Sequence, residues 1–433
     1  ATLDVVRRVG LEDSLQPADP RAAKRYLFRN GRLHLLPGGP VGFLKSSVLS
    51  LRGRLRVLLE PFARGRPEGI DETIYHFAAR RIGDEAASVL VDAMVSGVFA
   101  GNVHELSLAS TFPTMAAMER EHGGLVKAML AKQRQRRAAR RDAERRRARG
   151  ESVAELTQPG GPAGPAGTLT SFVEGLDRFP AAAAAALGSR VRLNVPVAAL
   201  VRDDADGWDV QTGAGETIHA DAVVLAVPST VAAPLLEPLD AEVSRQVAGI
   251  ESASLAVVAL GYDGAAVGGA PDGFGFLVPR GEGPRILGCL WDSSIFPGRA
   301  PQGKVLLRAM IGGAHDAEAV TLDDDALVRI VRADLQTAMG ISAEPVLVRI
   351  YRHSGGIAQY HVGHAVRLAE IHKGLTRLPG LSLTGSSYYG VSMNSCVERA
   401  ERHAGQVVEW LAESRSWRAR GAPDRAMHEA SSR

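Results

Sequence analysis

The stretch from Leu381 to Leu411, LSLTGSSYYGVSMNSCVERAERHAGQVVEWL, constrains the fold of this chain more than any other. A short apolar strand runs into Gly385, passes Ser386, Ser387, Gly390 and Ser392, and enters a helix after Asn394. Small residues at a strand end let backbone approach a ligand, and a helix starting there aims its free N–H groups at it. This is the sequence of a phosphate or flavin cradle in an α/β protein. An ordinary strand, glycine turn and helix carries the same local signal.

Two further stretches narrow the choice: VDAMVSGVFAGNVHELSLASTFP, Val91 to Pro113, and GFGFLVPRGEGPRILGCLWDSSIFPGRAP, Gly273 to Pro301. Patterns of the kind S-G-V-[FY]-A-G-[ND], F-G-x-L-V-P and G-x-S-Y-x-G-V-x-[MV]-N-x-C occur here in order. In this the chain resembles the protoporphyrinogen oxidases, FAD enzymes of the amine oxidase and phytoene desaturase superfamily, from about Leu3 to about Leu411. The resemblance implies oxidation of a porphyrinogen, with FAD as cofactor and molecular oxygen as acceptor.

The family's strand, G-x-G-x-x-G and helix, which hold the FAD pyrophosphate, are not in this sequence. It opens at Ala1 on ATLDVVRRVGLEDSL, whose apolar spacing predicts the amphipathic helix that follows that region. The expectation is an upstream βαβ unit outside this sequence, and weak FAD binding without it. The one glycine-rich run, Gly160 to Gly167, is interrupted by prolines and reads as a linker.

At 433 residues, with 45% hydrophobic and 23% charged content, the chain has the composition of two or three globular domains. No apolar run reaches the length of a membrane-spanning helix. Cys289 and Cys396 lie in unrelated segments, which supports neither a zinc site nor a disulfide framework and fits a reducing, cytoplasmic compartment. The net charge of +3 hides a local concentration, because Lys132 to Arg149 alone carries ten Lys or Arg against Asp142 and Glu144. A solvated helix or arm, an anionic membrane surface and nucleic acid compete for it. The run has no aromatic residue, so base stacking and nucleic acid lack support, and the resemblance favours a peripheral membrane contact.

The expected fold class is α/β (α+β): an incomplete FAD-binding Rossmann-like domain interleaved with a mixed-sheet substrate domain and a helical membrane-associating region. Expected divisions are 1–24, 181–250 and 356–433 for the FAD-binding parts, 25–180 for the helical and substrate region, and 251–355 for a β-rich substrate domain. Asn30-Gly31 predicts a hairpin, Asp71 a helix cap, and Asp323 to Met339 a helix burying Leu327, Ile330, Val331 and Leu335. RVRLNVPVAALVRD, WDVQT and ETIHA predict a strand meander closing on the buried strand Ala222 to Pro228.

A porphyrinogen is a large apolar macrocycle with peripheral carboxylates, so its site needs a roomy apolar slot with cations at the rim. No paired-carboxylate, G-x-S-x-G or H-E-x-x-H pattern stands out, consistent with redox chemistry carried by a cofactor. The resemblance places Arg25 on a substrate propionate, Gly97, Val98 and Phe99 in the substrate pocket's backbone lining near the flavin ring, and Phe274, Gly275, Leu277, Leu290 and Met310 in the slot's walls. It places Val197, His353, Val391, Ser392 and Met393 at FAD. Glu174 and Ala358 stand where the family has glycine and proline, and Cys396 reads as a structural thiol. Protoporphyrinogen, coproporphyrinogen and a non-catalytic fragment remain open, as does a homodimer.

Overall fold

The computed structural model describes residues 1–36, 42, 46–66, 69–149, 169–203 and 207–419. They form two compact units, one of Ala1–Glu12, Phe179–Glu251 and Ala365–Arg433, the other of Asp13–Arg178 and Ser252–His364. The first boundary falls at 12/13 rather than 24/25 because β1 (Leu15–Pro17) pairs antiparallel with β4 (Thr170–Phe172) inside the larger unit. The last falls after His364 rather than at 355, because the Val362 N–H donates to the Glu105 carbonyl at 2.9 Å and the Gly363 N–H to Asp71 Oδ2 at 2.9 Å. The proline-interrupted run Gly160 to Gly167 lies outside the described residues.

The larger unit is organised by one sheet. Its strands are β2 (Arg25–Arg29), β3 (Arg32–Leu35), β9 (Ser252–Asp263), β10 (Gly275–Leu277), β11 (Gly288–Leu290), β12 (Lys304–Gly312) and β13 (Leu347–Ala358). They stand in the order β13-β9-β12-β11-β10-β2-β3, and only the β10–β2 pair is parallel. Asn30 and Gly31 turn the β2–β3 hairpin at positive φ of 50° and 75°, the geometry that Asn-Gly adopts readily.

Strand alternation gives the sheet two different faces. One carries Phe28, Ala256, Val258, Leu260, Phe276, Cys289, Leu307 and Ala309, and the helix Asp324–Met339 closes it with Leu327, Val331 and Leu335, all fully buried. That helix is well specified locally: Asp323 accepts from the Ala326 N–H at 2.7 Å and Gly340 ends it in the left-handed region. Each fully buried aliphatic side chain contributes about 1.5–3 kcal/mol, which makes this face the unit's main anchor.

Helices at Leu51–Leu58, Ile74–Ile82, Asp92–Phe99, Pro113–His122 and Leu125–Ala148 complete the larger unit. Their centre holds charge. Arg81 is fully buried with Nη2 2.7 Å from Glu60 Oε1, while Arg80 reaches Glu72 and Glu119 at 2.7 Å each. Glu60 also accepts the Leu125 and Val126 N–H groups at 2.8 and 3.1 Å, so one carboxylate joins the ion pair to a helix start. Asp71 does not cap the helix that follows it. Thr73 does, accepting from the His76 N–H at 3.1 Å, and Asp71 instead accepts from the Ser107 hydroxyl at 2.6 Å and from Gly363.

The smaller unit has a meander, β5 (Val197–Arg202), β6 (Trp208–Thr212) and β7 (Thr217–Ala220), with Trp208 fully buried. The strand expected to close that meander, β8 (Val223–Leu225), pairs instead in parallel with β14 (Leu381–Leu383). The helix Met393–Ala419 follows β14.

Candidate functional site

The second face of the large sheet is the surface on which the expected slot residues meet. Register aligns Arg25, Gly275, Leu290 and Arg308 in one row across β2, β10, β11 and β12, and Leu27, Leu277, Gly288 and Met310 in the next row of the same face. Leu277, Leu290 and Met310 are half-buried, unlike their neighbours Phe276, Cys289 and Ala309 on the closed face. The Cys289 thiol is fully buried and pushed far up by that burial, which leaves it unreactive.

Arg25 is exposed, its guanidinium 4.9 Å from the centre of the Phe274 ring. It has no carboxylate partner among the described residues, so its donors are available to an anion. Gly97 comes to the same face from the helix Asp92–Phe99, and a Cβ there would lie 2.5 Å from Leu277 Cδ2. Val98 is 49% exposed. Phe99 turns away: it is buried edge-on to Phe112, ring centres 5.5 Å apart, and belongs to the helical core. What fixes this helix end is Gln359, a buried amide whose Nε2 donates to the Phe99 carbonyl at 2.9 Å. His353 lies exposed on β13, opposite Leu255 of β9.

In the smaller unit, β14 leads through Gly385 and Gly390 to Ser392, whose hydroxyl caps the next helix by accepting the Ser395 N–H at 3.1 Å. The helix thus begins at Met393 rather than after Asn394. Gly390 has φ of 121°, and a Cβ there would lie 2.7 Å from Ser395 Cβ, so only glycine lets this backbone fold over the helix start. Beside it, Arg399 lies 3.6 Å from the Tyr389 ring centre and the Tyr389 hydroxyl meets His372 Nε2 at 2.5 Å. Burial, helped by Arg399, pushes the His372 imidazolium down, so the ring is neutral at pH 7. Val197 opens β5, 41% exposed, paired with Thr212.

A scan against family models matches residues 1–408 to the flavin containing amine oxidoreductases. The chain belongs to that family. Among curated relatives, human protoporphyrinogen oxidase is 32% identical over 421 residues, 94% of this chain and 84% of that protein. Coproporphyrinogen III oxidase of Bacillus subtilis (strain 168) is 28% identical over 416 residues, 94% of this chain and 83% of that protein. Among solved structures, a protein from Exiguobacterium sp. 255-15 assigned as a protoporphyrinogen oxidase superposes with a TM-score of 0.76 at 24% identity, covering 94% of this chain and 85% of that one. Cyclohexylamine oxidase from Brevibacterium oxydans IH-35A gives 0.62 at 16% identity, covering 95% and 85%. The fold is therefore that of the flavin amine oxidases, and FAD is the cofactor.

The residues present fit such a cofactor. The strand, the Gly390 fold-over and the capped helix start bring the backbone of Val391, Ser392 and Met393 to the head of a helix, the kind of place where backbone N–H groups can meet an anionic ligand. Of metal-binding arrangements, the described residues bring together Asp203, Asp209 and His219, with ligand atoms within 4.8 Å. This is a largely exposed meander pair, His219 Nδ1 to Asp209 Oδ1 at 2.5 Å, with one added carboxylate.

Sequence reasoning missed Gln359, Arg308 and Asp292. Arg308 was visible as a charge between Leu306 and Met310 on one face of β12, whose other face, Val305, Leu307, Ala309 and Ile311, is wholly apolar. Nothing local marks Gln359, because its partner is 260 residues away.

Proposed function

We propose that this chain oxidises protoporphyrinogen IX to protoporphyrin IX, an oxidation in haem biosynthesis, with FAD and molecular oxygen. The supporting observation is the half-buried apolar face of Leu277, Leu290 and Met310, rimmed by an Arg25 that has no carboxylate partner among the described residues. A tetrapyrrole needs that combination, and an amine substrate does not. The names of the relatives support the same reading.

FAD, when bound, supplies the hydride-accepting chemistry; overall, the macrocycle loses six hydrogens while three oxygen molecules become hydrogen peroxide. The chain's own residues bind and orient. Arg25 holds a propionate, Leu277, Leu290 and Met310 cover one macrocycle face and exclude water, and Gly97 leaves room for a flat ring beside them. Val391, Ser392 and Met393 would hold the cofactor through backbone, and Val197 would pack by its adenine. No side-chain acid or base is assigned a proton transfer.

Arg25→Ala should raise KM for protoporphyrinogen about tenfold or more while changing kcat less, since an ion pair to a remote propionate supplies uniform binding. Aerobic formation of fluorescent protoporphyrin by the FAD-loaded protein measures both constants. An oxidation faster on coproporphyrinogen would shift the assignment to the reaction named for the Bacillus subtilis relative. No oxidation of either would leave only the fold.

The membrane contact also gains an observation. Leu51, Leu55, Leu58, Leu59 and Phe62 form one exposed stripe on the helix Leu51–Leu58 and the turn after it, with Phe62 83% exposed. Exposed Val126, Met129 and Leu130 begin the helix Leu125–Ala148, which carries the basic run. An apolar stripe with adjoining basic residues is the pattern of a helix lying in a lipid interface. No described helix is long and apolar enough to cross a membrane. This reading puts the enzyme at the inner face of the cell membrane, on anionic lipid.

A further inference from the structure

We infer that Arg308 is a second carboxylate anchor of the slot and that, with Arg25, it sets specificity for a porphyrinogen whose acid groups lie along one edge. The inference rests on the porphyrinogen reading above and names the feature of the substrate that the slot recognises.

The register carries it. Arg25 pairs with Gly275, Gly275 with Leu290, and Leu290 with Arg308, so the two arginines stand in one transverse row with an apolar pair between them, and beyond Arg308 the row runs on through Ala259 to Arg349. Side-chain alternation places both on the face of Leu277 and Met310, opposite the face closed by the helix Asp324–Met339. Three strand spacings of ~4.8 Å separate their backbones by about 14 Å, a span on the scale of a tetrapyrrole edge with its propionates. The neighbouring row, His34, Leu27, Leu277, Gly288, Met310, Val257 and Tyr351, holds no Lys, Arg, Asp or Glu, and its one ionisable side chain, His34, is buried. Arginines thus line one row of the face, and the next row carries no Lys, Arg, Asp or Glu.

Arg308 is also held in place. Its Nη2 donates to Asp292 Oδ1 at 2.9 Å and its Nε lies 2.9 Å from Asp292 Oδ2, a two-point contact that leaves Nη1 for a ligand. Asp292 lies two residues past the end of β11 and its side chain is only 15% exposed, whereas that of Arg308 is 43% exposed. The buried carboxylate orients the fork, and the exposed side of the guanidinium faces outward. A fixed planar fork loses little freedom on taking a second carboxylate. Protoporphyrinogen, with two propionates on adjacent rings, presents its acids to one edge; coproporphyrinogen, with four around the rim, would set carboxylates against the row without Lys or Arg.

Protoporphyrin IX, its dimethyl ester and coproporphyrin III serve as probes, titrated by fluorescence against the protein. The unsubstituted protein should bind the diacid more tightly than the diester. Arg308→Leu should weaken diacid binding about tenfold and leave the diester unchanged. Asp292→Asn, which loosens the orienting contact on the fork, should weaken the diacid and leave the diester unchanged. Arg308→Lys, which keeps the charge should the leucine variant fold poorly, should retain part of the preference. A full diacid preference in Arg308→Leu, or equal loss of diacid and diester, overturns the anchor while leaving the substrate class standing. An unsubstituted protein that binds neither porphyrin, or does not distinguish acid from ester, overturns the substrate class and the anchor with it.

Discussion

Gly97 and Leu277 stand closer than two side chains can: a methyl group on Gly97 would lie 2.5 Å from Leu277 Cδ2. The helix that carries the glycine is therefore docked directly on the slot wall. Gly97→Ala should gain up to about 1 kcal/mol of helix propensity, against roughly 1–3 kcal/mol of overpacking. Its melting temperature should move little, while kcat/KM for the porphyrinogen should fall about tenfold as Leu277 is pushed into the slot. Leu277→Ala in the same chain should recover much of that loss. Additive losses in the double variant would separate the two residues functionally.

Gly390 tests the cradle. Its φ of 121° and its approach to Ser395 both exclude a side chain. Gly390→Ala should cost about 1–3 kcal/mol in local strain and lower the flavin content of the purified protein, read from its visible absorbance. Equal flavin in both forms would place the cofactor's main backbone contacts elsewhere.

Glu85 links the slot sheet to the helix with the apolar stripe. It accepts from the Ser50 N–H at 2.7 Å, the Ser50 hydroxyl at 2.5 Å and Arg29 Nη2 at 3.3 Å. Burial by itself would raise its carboxyl, but the Ser50 bonds and Arg29 outweigh that and hold it below the ordinary 4.5. A depressed carboxylate stabilises the fold above its unfolded value, and that stabilisation is lost as pH falls through the folded one. Glu85→Gln should therefore lower the melting temperature at pH 7 and converge with the parent as pH drops well below 4.5. A difference that persists unchanged into acid would mean that the charge plays no part.

Leu55 and Phe62 are 52% and 83% exposed on the stripe, so substitution there removes no buried packing. Leu55→Glu with Phe62→Glu should release the protein from anionic phospholipid vesicles, measured by co-sedimentation, without lowering activity on detergent-dispersed substrate. Salt should weaken the basic helix's share of the binding, since exposed charges are screened beyond about 8 Å at physiological ionic strength. Vesicle binding untouched by both substitution and salt would remove this surface from consideration.

Several features of the protein were set by the sequence alone. The Asn30-Gly31 hairpin, the helix capped by Asp323 and the strand, glycine and helix after Leu381 are each decided within a few residues, by backbone preference, capping and periodicity. Motif order was equally readable and carried the family.

The tertiary structure decided what depends on distant partners. Asp71 had the sequence of a cap, yet its oxygens serve Ser107 and Gly363, which a local reading cannot see. Phe99 sat in a motif of slot residues, yet its ring found Phe112 and a place in the core. β8 followed a meander and joined β14, more than 150 residues on. Arg25 and Arg308 lie 283 positions apart in the chain, and only strand register puts them in one row. Strand alternation tells which residues share a face, but not which strand stands beside which. That choice is made by long-range burial, and the slot depends on it.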